Sequence, residues 1–266
     1  MTPDAKPSVA RLFLYPVKSL DPVAVESVTV LVSGALQRDR EFALFDQGGQ
    51  YVNGKGQPRI HQLRSQFHLE TQVLTLGIHP DQPSTPFQLP EAQPQLEQWL
   101  SDYFNFPVQL RQNLERGFPD DIASPGPTII STATLEAVAS WYPGLEVEEV
   151  RRRFRANIEV ENVPAFWEDC LFAEAGQTVD FQIGAVTFMG INPCQRCVVI
   201  TRDPQTGAAY PNFQKTFVTK RHDTLPGWTV RSRFNHFYRL GINTRRLDSG
   251  MGLRIQVGDR LELLQT

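Results

Sequence analysis

The chain has 266 residues, 41% hydrophobic and 21% charged, which is ordinary for a soluble protein with one large or two modest domains. Its formal net charge of −3 excludes a whole-molecule attraction to nucleic acid or an anionic membrane, so any anion site must be local. No apolar run approaches the roughly 18–20 residues of a membrane helix, the N-terminus lacks signal-peptide zones, and three cysteines do not make a disulfide framework, so we expect a cytoplasmic protein.

The first half of the chain predicts mainly β-strands. Short apolar-rich or alternating runs are separated by turn signals, among them Gly48-Gly49. The predicted strands cover residues 9–15, 28–32, 42–46, a return at 51–52, one long strand at 68–78, and 107–113.

Three helices are predicted around the middle of the chain. An apolar stripe at i, i+3, i+4, i+7 and i+8 runs from Leu96 to Phe104, and Pro94 suits its first turn. A second stripe begins at Leu135, and residues 147–154 form a third helix. Between the first two helices, the Pro-, Gly- and Asp-rich residues 117–127 are the predicted linker.

The remaining residues return to predicted strands, at 156–160, 179–183, 185–189, 198–201, 253–257 and 261–264. Many short strands with few helices predict a β-rich α+β protein, barrel-like in its second half. We expect an N-terminal β-domain at 1–116 and a second domain, a β-barrel with a few flanking helices, at 128–266.

Two thiols, Cys194 and Cys197, bracket Gln195 and Arg196 at the entrance of an apolar run. A structural zinc site needs four Cys or His ligands, and only distant residues could complete one. A dithiol redox pair needs a helix N-terminus, whereas the following Val-Val-Ile favours a strand. Two inert buried cysteines are the plain alternative. The polar, turn-forming surroundings favour a thiolate that acts as a single soft metal ligand.

Three basic elements lie apart in the sequence. Lys18 and Ser19 follow the first strand, Arg40 precedes a later one, and Arg155 closes the densest basic run, two residues before Asn157. A solvated face is the alternative for each run. Arg155 differs because it precedes an apolar strand, and an inward-pointing arginine needs an anionic partner. Together the elements predict a phosphate-bearing cofactor in a cleft.

Several segments resemble a known family. LYPVKSLDPVAVESVTVLVSGALQRDREFALFD is similar to the N-terminal β-domain of MOSC proteins, the relatives of the C-terminal part of molybdenum cofactor sulfurase. FRANIEV, NPCQRCVVITRDPQTG and VGDRLELL resemble the MOSC domain itself. The pattern is most similar to the branch of the mitochondrial amidoxime-reducing component and its bacterial counterparts, and it extends over residues 9–264. YPVKS together with CxRC…DPxTG makes the resemblance specific.

The resemblance implies a pterin-type molybdenum cofactor whose dithiolene and oxo groups leave one position for a protein thiolate. Cys197 would be that metal ligand, and Asp203 would tune it or relay protons, although an Asp-Pro pair is equally a turn. The implied cofactor contacts are Lys18, Ser19, Arg40, Arg155, Asn157, Cys194, Gln195 and Arg196. Where the family has a tyrosine, this chain has Phe237, so only Tyr238 or His236 could replace its hydroxyl.

The implied activity is the two-electron reduction of N-hydroxylated compounds such as amidoximes, hydroxylamines and N-hydroxylated bases. Some relatives carry an iron–sulfur domain bound by four cysteines, which this sequence lacks, so the electron donor is expected to be a separate ferredoxin, cytochrome or flavoprotein reductase. The alternatives are a non-catalytic carrier of the molybdenum cofactor or of sulfur on Cys197, and a β-rich interaction domain without a cofactor.

Overall fold

The computed structural model describes residues 6–79 and 83–264. In chain order its strands are β1 (Ser8–Leu14), β2 (Val23–Val25), β3 (Ser27–Thr29), β4 (Phe42–Phe45), β5 (Leu63–His68), β6 (Val73–Ile78), β7 (Thr85–Gln88), β8 (Gln109–Gln112), β9 (Ile129–Ser131), β10 (Ile158–Glu161), β11 (Val179–Ile183), β12 (Val186–Gln195), β13 (Arg239–Arg246), β14 (Arg254–Gln256) and β15 (Leu261–Leu263). Its helices are α1 (Gln93–Phe104), α2 (Thr132–Ala139), α3 (Val147–Phe154) and α4 (Phe213–Asp223), with short 3-10 helices at Pro58–Gln62, Trp167–Leu171, Val198–Thr201 and Arg231–Arg233. The predicted β-rich α+β class is confirmed.

One large sheet organises the second half of the chain. Its strand order is β15-β11-β12-β13-β9-β10-β1-β2. A bridge between Ser8 and Arg260 brings β1 back to the β15 end, so the sheet curls into a barrel-like body. Its interior is apolar, with Leu12, Ile158, Phe181 and Phe188 essentially inaccessible to water.

A second core belongs to the N-terminal half. The ribbon β4–β8 and the sheet β5-β6-β7 pack with α1 around a separate apolar cluster. The predicted stripe on α1 is buried at Leu96 and Leu100, Pro94 lies in its first turn, and Asn105 ends it in the left-handed conformation. A third cluster joins α2, α3 and α4 around Phe217.

The predicted linker is anchored at both ends. The backbone N–H of Phe118 donates to the Arg40 carbonyl, and that of Gly126 donates to the Thr244 carbonyl. In the sequence, the residues of the N-terminal core precede the linker, and most residues of the barrel core follow it. Because β1 and β2 hydrogen-bond into the sheet of the second half, the division at residues 117–127 does not separate the sheets, and it stays a proposal.

Two strand predictions are wrong, and a third is confirmed only in part. Residues 68–78 are not one strand, because the chain reverses between β5 and β6 with Gln72 at φ 55°. The predicted return at 51–52 pairs with β4 through one bridge between Phe45 and Tyr51, and the Val52 N–H donates to the Leu44 carbonyl at 2.9 Å, but the pairing does not extend into a strand. Residues 198–201 form a 3-10 turn, in which the Thr201 hydroxyl donates to the Val198 carbonyl, so local hydrogen bonding overrides β-branched propensity.

Several elements were not predicted at all, and α4 and β13 are the two that bear on the site. α4 presents Phe213, Phe217 and Arg221 inward at a spacing of four, and the inward-facing arginine obscures its apolar stripe. β13, central in the large sheet, carries charged residues at both ends. Across residues 6–79 and 83–264, no helix has both the length and the apolar character needed to span a bilayer.

Candidate functional site

A cavity of about 540 Å³ has walls from both halves of the chain. Nine of the ten residues predicted as site residues line it: Lys18, Ser19, Arg40, Arg155, Asn157, Cys194, Gln195, Arg196 and Cys197. Asp203 does not. Tertiary structure thus brings together basic elements and thiols that the sequence leaves up to 179 positions apart, from Lys18 to Cys197 (197 − 18).

The N-terminal half contributes a buried ammonium group. After β1 the chain turns through Lys18 and Ser19, and Ser19 has φ 74°. The Lys18 side chain is buried, and its Nζ donates to the Phe118 carbonyl at 2.9 Å and to the Asp120 carboxylate at 2.5 Å. Burial lowers the pKa of Lys18, and Asp120 opposes that shift. The ammonium group of Lys18 pairs with one carboxylate, Asp120, which belongs to an exposed segment. It can therefore also bind the anionic group of a ligand.

Two guanidinium groups flank one buried tyrosine. The Cζ atoms of Arg40 and Arg155 lie 5.1 and 4.2 Å from the ring centroid of Tyr15. Both arginines have positive φ, 49° and 54°, and Arg155 ends α3. Burial lowers the pKa of Arg155, partly offset by Tyr15. Arg155 Nη2 donates to the Leu20 carbonyl at 2.7 Å, an uncharged partner, so its charge remains available to a ligand.

Asn157 lines the cavity, but its side-chain amide already forms hydrogen bonds with other residues of the protein. Its Oδ1 accepts from the Thr128 N–H at 3.2 Å and from Arg40 Nη1 at 3.4 Å. Its Nδ2 donates to the Phe13 carbonyl at 3.1 Å. The side chain therefore ties β1 to the start of β9 and orients Arg40.

The two thiols of the CQRC segment have opposite environments. Cys194 lies on β12, is 6% exposed, and contacts Asn243 Oδ1. Burial raises the pKa of Cys194. Cys197 is exposed at the start of the 3-10 turn, where its carbonyl accepts from the Tyr238 hydroxyl at 3.3 Å. The third cysteine, Cys170, is half-buried and its pKa is raised to about 12, chiefly by burial. Only Cys197 offers an accessible thiol to the cavity.

Arg196 is held close to Cys194. Its guanidinium donates to the Phe154 carbonyl and lies 5.0 Å from the Phe154 ring centroid. The charge of Arg196 lowers the pKa of Cys194 against the effect of burial. The charge of Arg196 therefore favours the thiolate form of Cys194, although burial prevails, and the side chain of Gln195 between them is exposed.

Asp203 builds a turn outside the cavity wall. Its Oδ1 accepts from the backbone N–H groups of Gln205 and Thr206, both at 2.8 Å. Gly207 closes the loop with φ 76°, and a Cβ there would lie 2.8 Å from the Pro58 carbonyl oxygen. The DPQTG loop thus packs its glycine against the N-terminal half, and the turn that Asp-Pro also predicted is the one that forms.

The sequence reasoning missed many of the lining residues. Among them are Asp120 and Asp121 from the linker, and Arg239 and Asn243 from β13. The linker composition indicated a loop but not that it enters a cationic cavity. Tyr238, one of the two residues left open as a replacement for the family's tyrosine, lies outside the cavity wall, and its hydroxyl donates to the Cys197 carbonyl at 3.3 Å.

The donor set fits an anionic ligand that brings its own metal ligands. Within the described residues Arg155, Arg196 and Arg239 donate only to carbonyl or amide oxygens. The Nε atoms of Arg196 and Arg239 are buried without a partner. No group of three or more His, Cys, Asp or Glu side chains in that part of the chain could hold a metal ion. A metal at Cys197 would need its other ligands from the group it arrives with.

Two family models match the chain. "MOSC N-terminal beta barrel domain" matches residues 6–113, and "MOSC domain" matches residues 128–262. The cavity therefore has walls from both matched regions.

The curated relatives include several proteins named molybdenum cofactor sulfurase. The Caenorhabditis elegans protein is 22% identical over 229 residues, which cover 78% of this chain and 30% of that protein. The Drosophila grimshawi protein is 25% identical over 298 aligned positions, covering 98% and 35%. The human protein is 24% identical over 255, covering 78% and 28%. The chain thus spans about a third of the length of these relatives.

Proposed function

The chain belongs to the MOSC family, and from this premise we propose that it binds a pterin-type molybdenum cofactor and reduces N-hydroxylated compounds such as amidoximes and hydroxylamines. The observation that carries the proposal is the meeting of one exposed thiol, Cys197, with cations from both halves in a single cavity. The names of the sulfurase relatives support a role connected with the molybdenum cofactor.

Different residues of the cavity would bind different parts of the cofactor. Lys18, Arg40 and Arg155 would bind its anionic part, since their ammonium and guanidinium groups line the cavity. Asp120 and Asp39 pair with Lys18 and Arg40, whereas Arg155 forms no ion pair within the described residues. Cys197 would supply the one protein thiolate, a soft ligand suited to molybdenum. Tyr238 fixes the carbonyl of that residue and so limits where the thiol can lie.

When bound, the cofactor would supply the two electrons that, with two protons, convert an N–OH group to N–H and water. The cavity, about 540 Å³, lies within the range of volumes in which proteins bind small molecules and cofactors. We expect a separate protein to return the electrons, as the sequence reasoning also expected.

Metal and pterin analysis of protein made in a host that produces the cofactor tests the binding. The matched pair Cys197→Ala and Cys194→Ala tests the ligand. We expect Cys197→Ala to lose amidoxime reduction with an artificial electron donor, and Cys194→Ala to retain most of it, because Cys194 is buried on a strand. Full activity and metal content in Cys197→Ala would refute the assignment.

A second candidate is a carrier of the cofactor or of sulfur. The exposed thiol of Cys197 and the sulfurase relatives favour it, since a persulfide would need an accessible sulfur. A protein that binds the cofactor stoichiometrically but reduces no amidoxime with the artificial donor would support the carrier. Sulfur transferred from labelled Cys197 persulfide to an acceptor would establish it.

A further inference from the structure

A small recess opens beside the central cavity. It shares Ser19, His61, Arg153, Arg155 and Val199 with the cavity wall and has a volume of about 30 Å³. That volume can accept the oxygens of one compact group, and it excludes a heterocyclic ring. Any ligand that uses the recess must therefore keep its body in the larger cavity.

Positive charge dominates the recess. Five arginines line it, with Asp21 as the one carboxylate in its wall: Arg64, Arg152, Arg153, Arg155 and Arg202. Arg64 pairs with Asp21 at 3.1 Å, and Arg152 and Arg153 pair with glutamates of α3. Within the described residues Arg155 and Arg202 form no ion pair. Because Arg155 is proposed above to bind the anionic part of the cofactor, the charge left for a second anion is that of Arg202.

Some hydrogen-bond donors of the recess arginines also have no partner within the described residues. The Nε atoms of Arg64 and Arg202 are buried without a partner. Burial, followed by Arg155 and Arg202, lowers the pKa of His61 to about 4, so this ring adds no further charge at neutral pH. A buried unsatisfied donor is unfavourable, and an oxyanion that accepts from it removes the cost.

The recess lies close to the thiol of the proposed site. Val199, in its wall, is two residues beyond Cys197, so their Cα atoms are within about 7 Å of each other. The Arg202 N–H donates to the Val199 carbonyl at 3.0 Å, which fixes Arg202 to the same turn. A substrate with its reacting nitrogen near Cys197 can therefore reach the recess with a second group.

We propose that this recess is an anion subsite for the substrate, and that the compounds the protein reduces best are N-hydroxylated molecules bearing a carboxylate or a phosphate. The identity of the substrate rests on the proposed reductase function, whereas the binding of an anion by Arg202 does not. Arg202 is the specificity-determining residue, since it is the recess arginine that neither pairs with a carboxylate nor faces Tyr15.

The first test compares benzamidoxime with its 4-carboxylate derivative on the cofactor-loaded protein. We expect Arg202→Gln to lower the ratio of kcat/KM for the carboxylate over the neutral compound about tenfold, as for the loss of one charge-assisted hydrogen bond. Arg202→Lys should restore part of the ratio. Arg254→Gln is the matched control, because Arg254 is exposed on β14, outside the recess wall, and its Nη2 donates to Ser27 Oγ at 2.6 Å.

The second test measures the binding of inorganic phosphate to the same loaded proteins by calorimetry. A phosphate affinity that is about tenfold weaker in Arg202→Gln and unchanged in Arg254→Gln supports the subsite. This holds even if the wild-type protein reduces neither amidoxime, because that failure overturns only the proposed reductase function. Equal phosphate affinity and an equal ratio in wild type and Arg202→Gln overturn the subsite and leave the reductase standing. Loss of bound cofactor from Arg202→Gln, with a native thermal unfolding curve, also overturns it, because the recess would then serve the cofactor.

Discussion

Asp120 neutralises the cationic cavity from the linker, and its removal should strengthen anion binding. Its carboxylate pairs with Lys18 Nζ, and Lys18 and then Arg40 hold the pKa of Asp120 below its ordinary value. An anion entering the cavity must share these cations with Asp120. We therefore predict that Asp120→Asn, which removes the charge but keeps the shape, raises the affinity of the cofactor-free protein for inorganic phosphate.

The exposure of the two partners sets the size of the effect. Only 8% of the Lys18 side chain is exposed, but 84% of the Asp120 side chain is. Water screens an ion pair in which one partner is exposed, so the interaction between Asp120 and Lys18 contributes about 1 kcal/mol. The expected gain in phosphate affinity is therefore about fivefold. The asparagine Oδ1 can still accept a hydrogen bond from Lys18, but it carries no charge, so the free energy of unfolding should fall by roughly 1 kcal/mol at most.

Calorimetric titration with phosphate at low and high salt measures the gain, which should shrink as salt rises. Glu115→Gln is the control, because it removes one negative charge from an exposed residue just before the linker and outside the cavity wall. An unchanged or weaker phosphate affinity in Asp120→Asn would show that Asp120 does not compete with the anion. An equal gain in Glu115→Gln would show that net charge alone is responsible.

Two further predictions concern a buried carboxyl group and the turn of Cys197. Burial, with help from Asp169, raises the pKa of Glu168 from 4.5 to about 7, so the folded state holds this proton over a range where the unfolded state has lost it. The stabilisation from this protonated carboxyl is complete below pH 4.5 and is lost by about pH 7, which lowers the free energy of unfolding by up to roughly 3 kcal/mol. Denaturant unfolding at a series of pH values should show this fall in the wild-type protein and not in Glu168→Gln. Parallel pH curves for the two proteins would contradict the prediction. Tyr238→Phe removes the hydroxyl that binds the Cys197 carbonyl, so iodoacetamide should alkylate the Cys197 thiol several-fold faster while the fold persists, and an unchanged rate would remove Tyr238 from the site.

The sequence predicted the candidate site better than it predicted the elements that carry it. Lys18, Arg40 and Arg155 could be proposed because a charged residue next to an apolar strand needs a partner, and because their segments resemble a known family. Residues 198–201 were predicted as a strand, since Val-Val-Ile has β propensity, but the chain forms a 3-10 turn there. A turn presents Cys197 outward, whereas a continued strand would have alternated its side chains between the faces of the sheet.

Residues that depend on tertiary structure alone could not be predicted. Asp120 lies in a segment whose composition indicates only a loop, and its contact with Lys18 spans 102 positions. Arg202 precedes a predicted turn and has no local feature that marks it, yet it lines the recess with Arg155. β13 pairs with β12 and with β9, so its place depends on strands far away in the sequence.

The point at which β12 ends decides which thiol is available. β12 pairs with β13 as far as Gln195, and the Arg196 N–H still donates to the Tyr238 carbonyl, so Cys194 is fixed within the sheet beside Asn243. One residue later the ladder stops, and the Tyr238 hydroxyl takes over by binding the Cys197 carbonyl. The same tyrosine thus anchors both sides of the turn, through its backbone and its side chain. A spacing of three residues therefore yields one inert and one accessible sulfur, and this asymmetry is what a single-thiolate metal site requires.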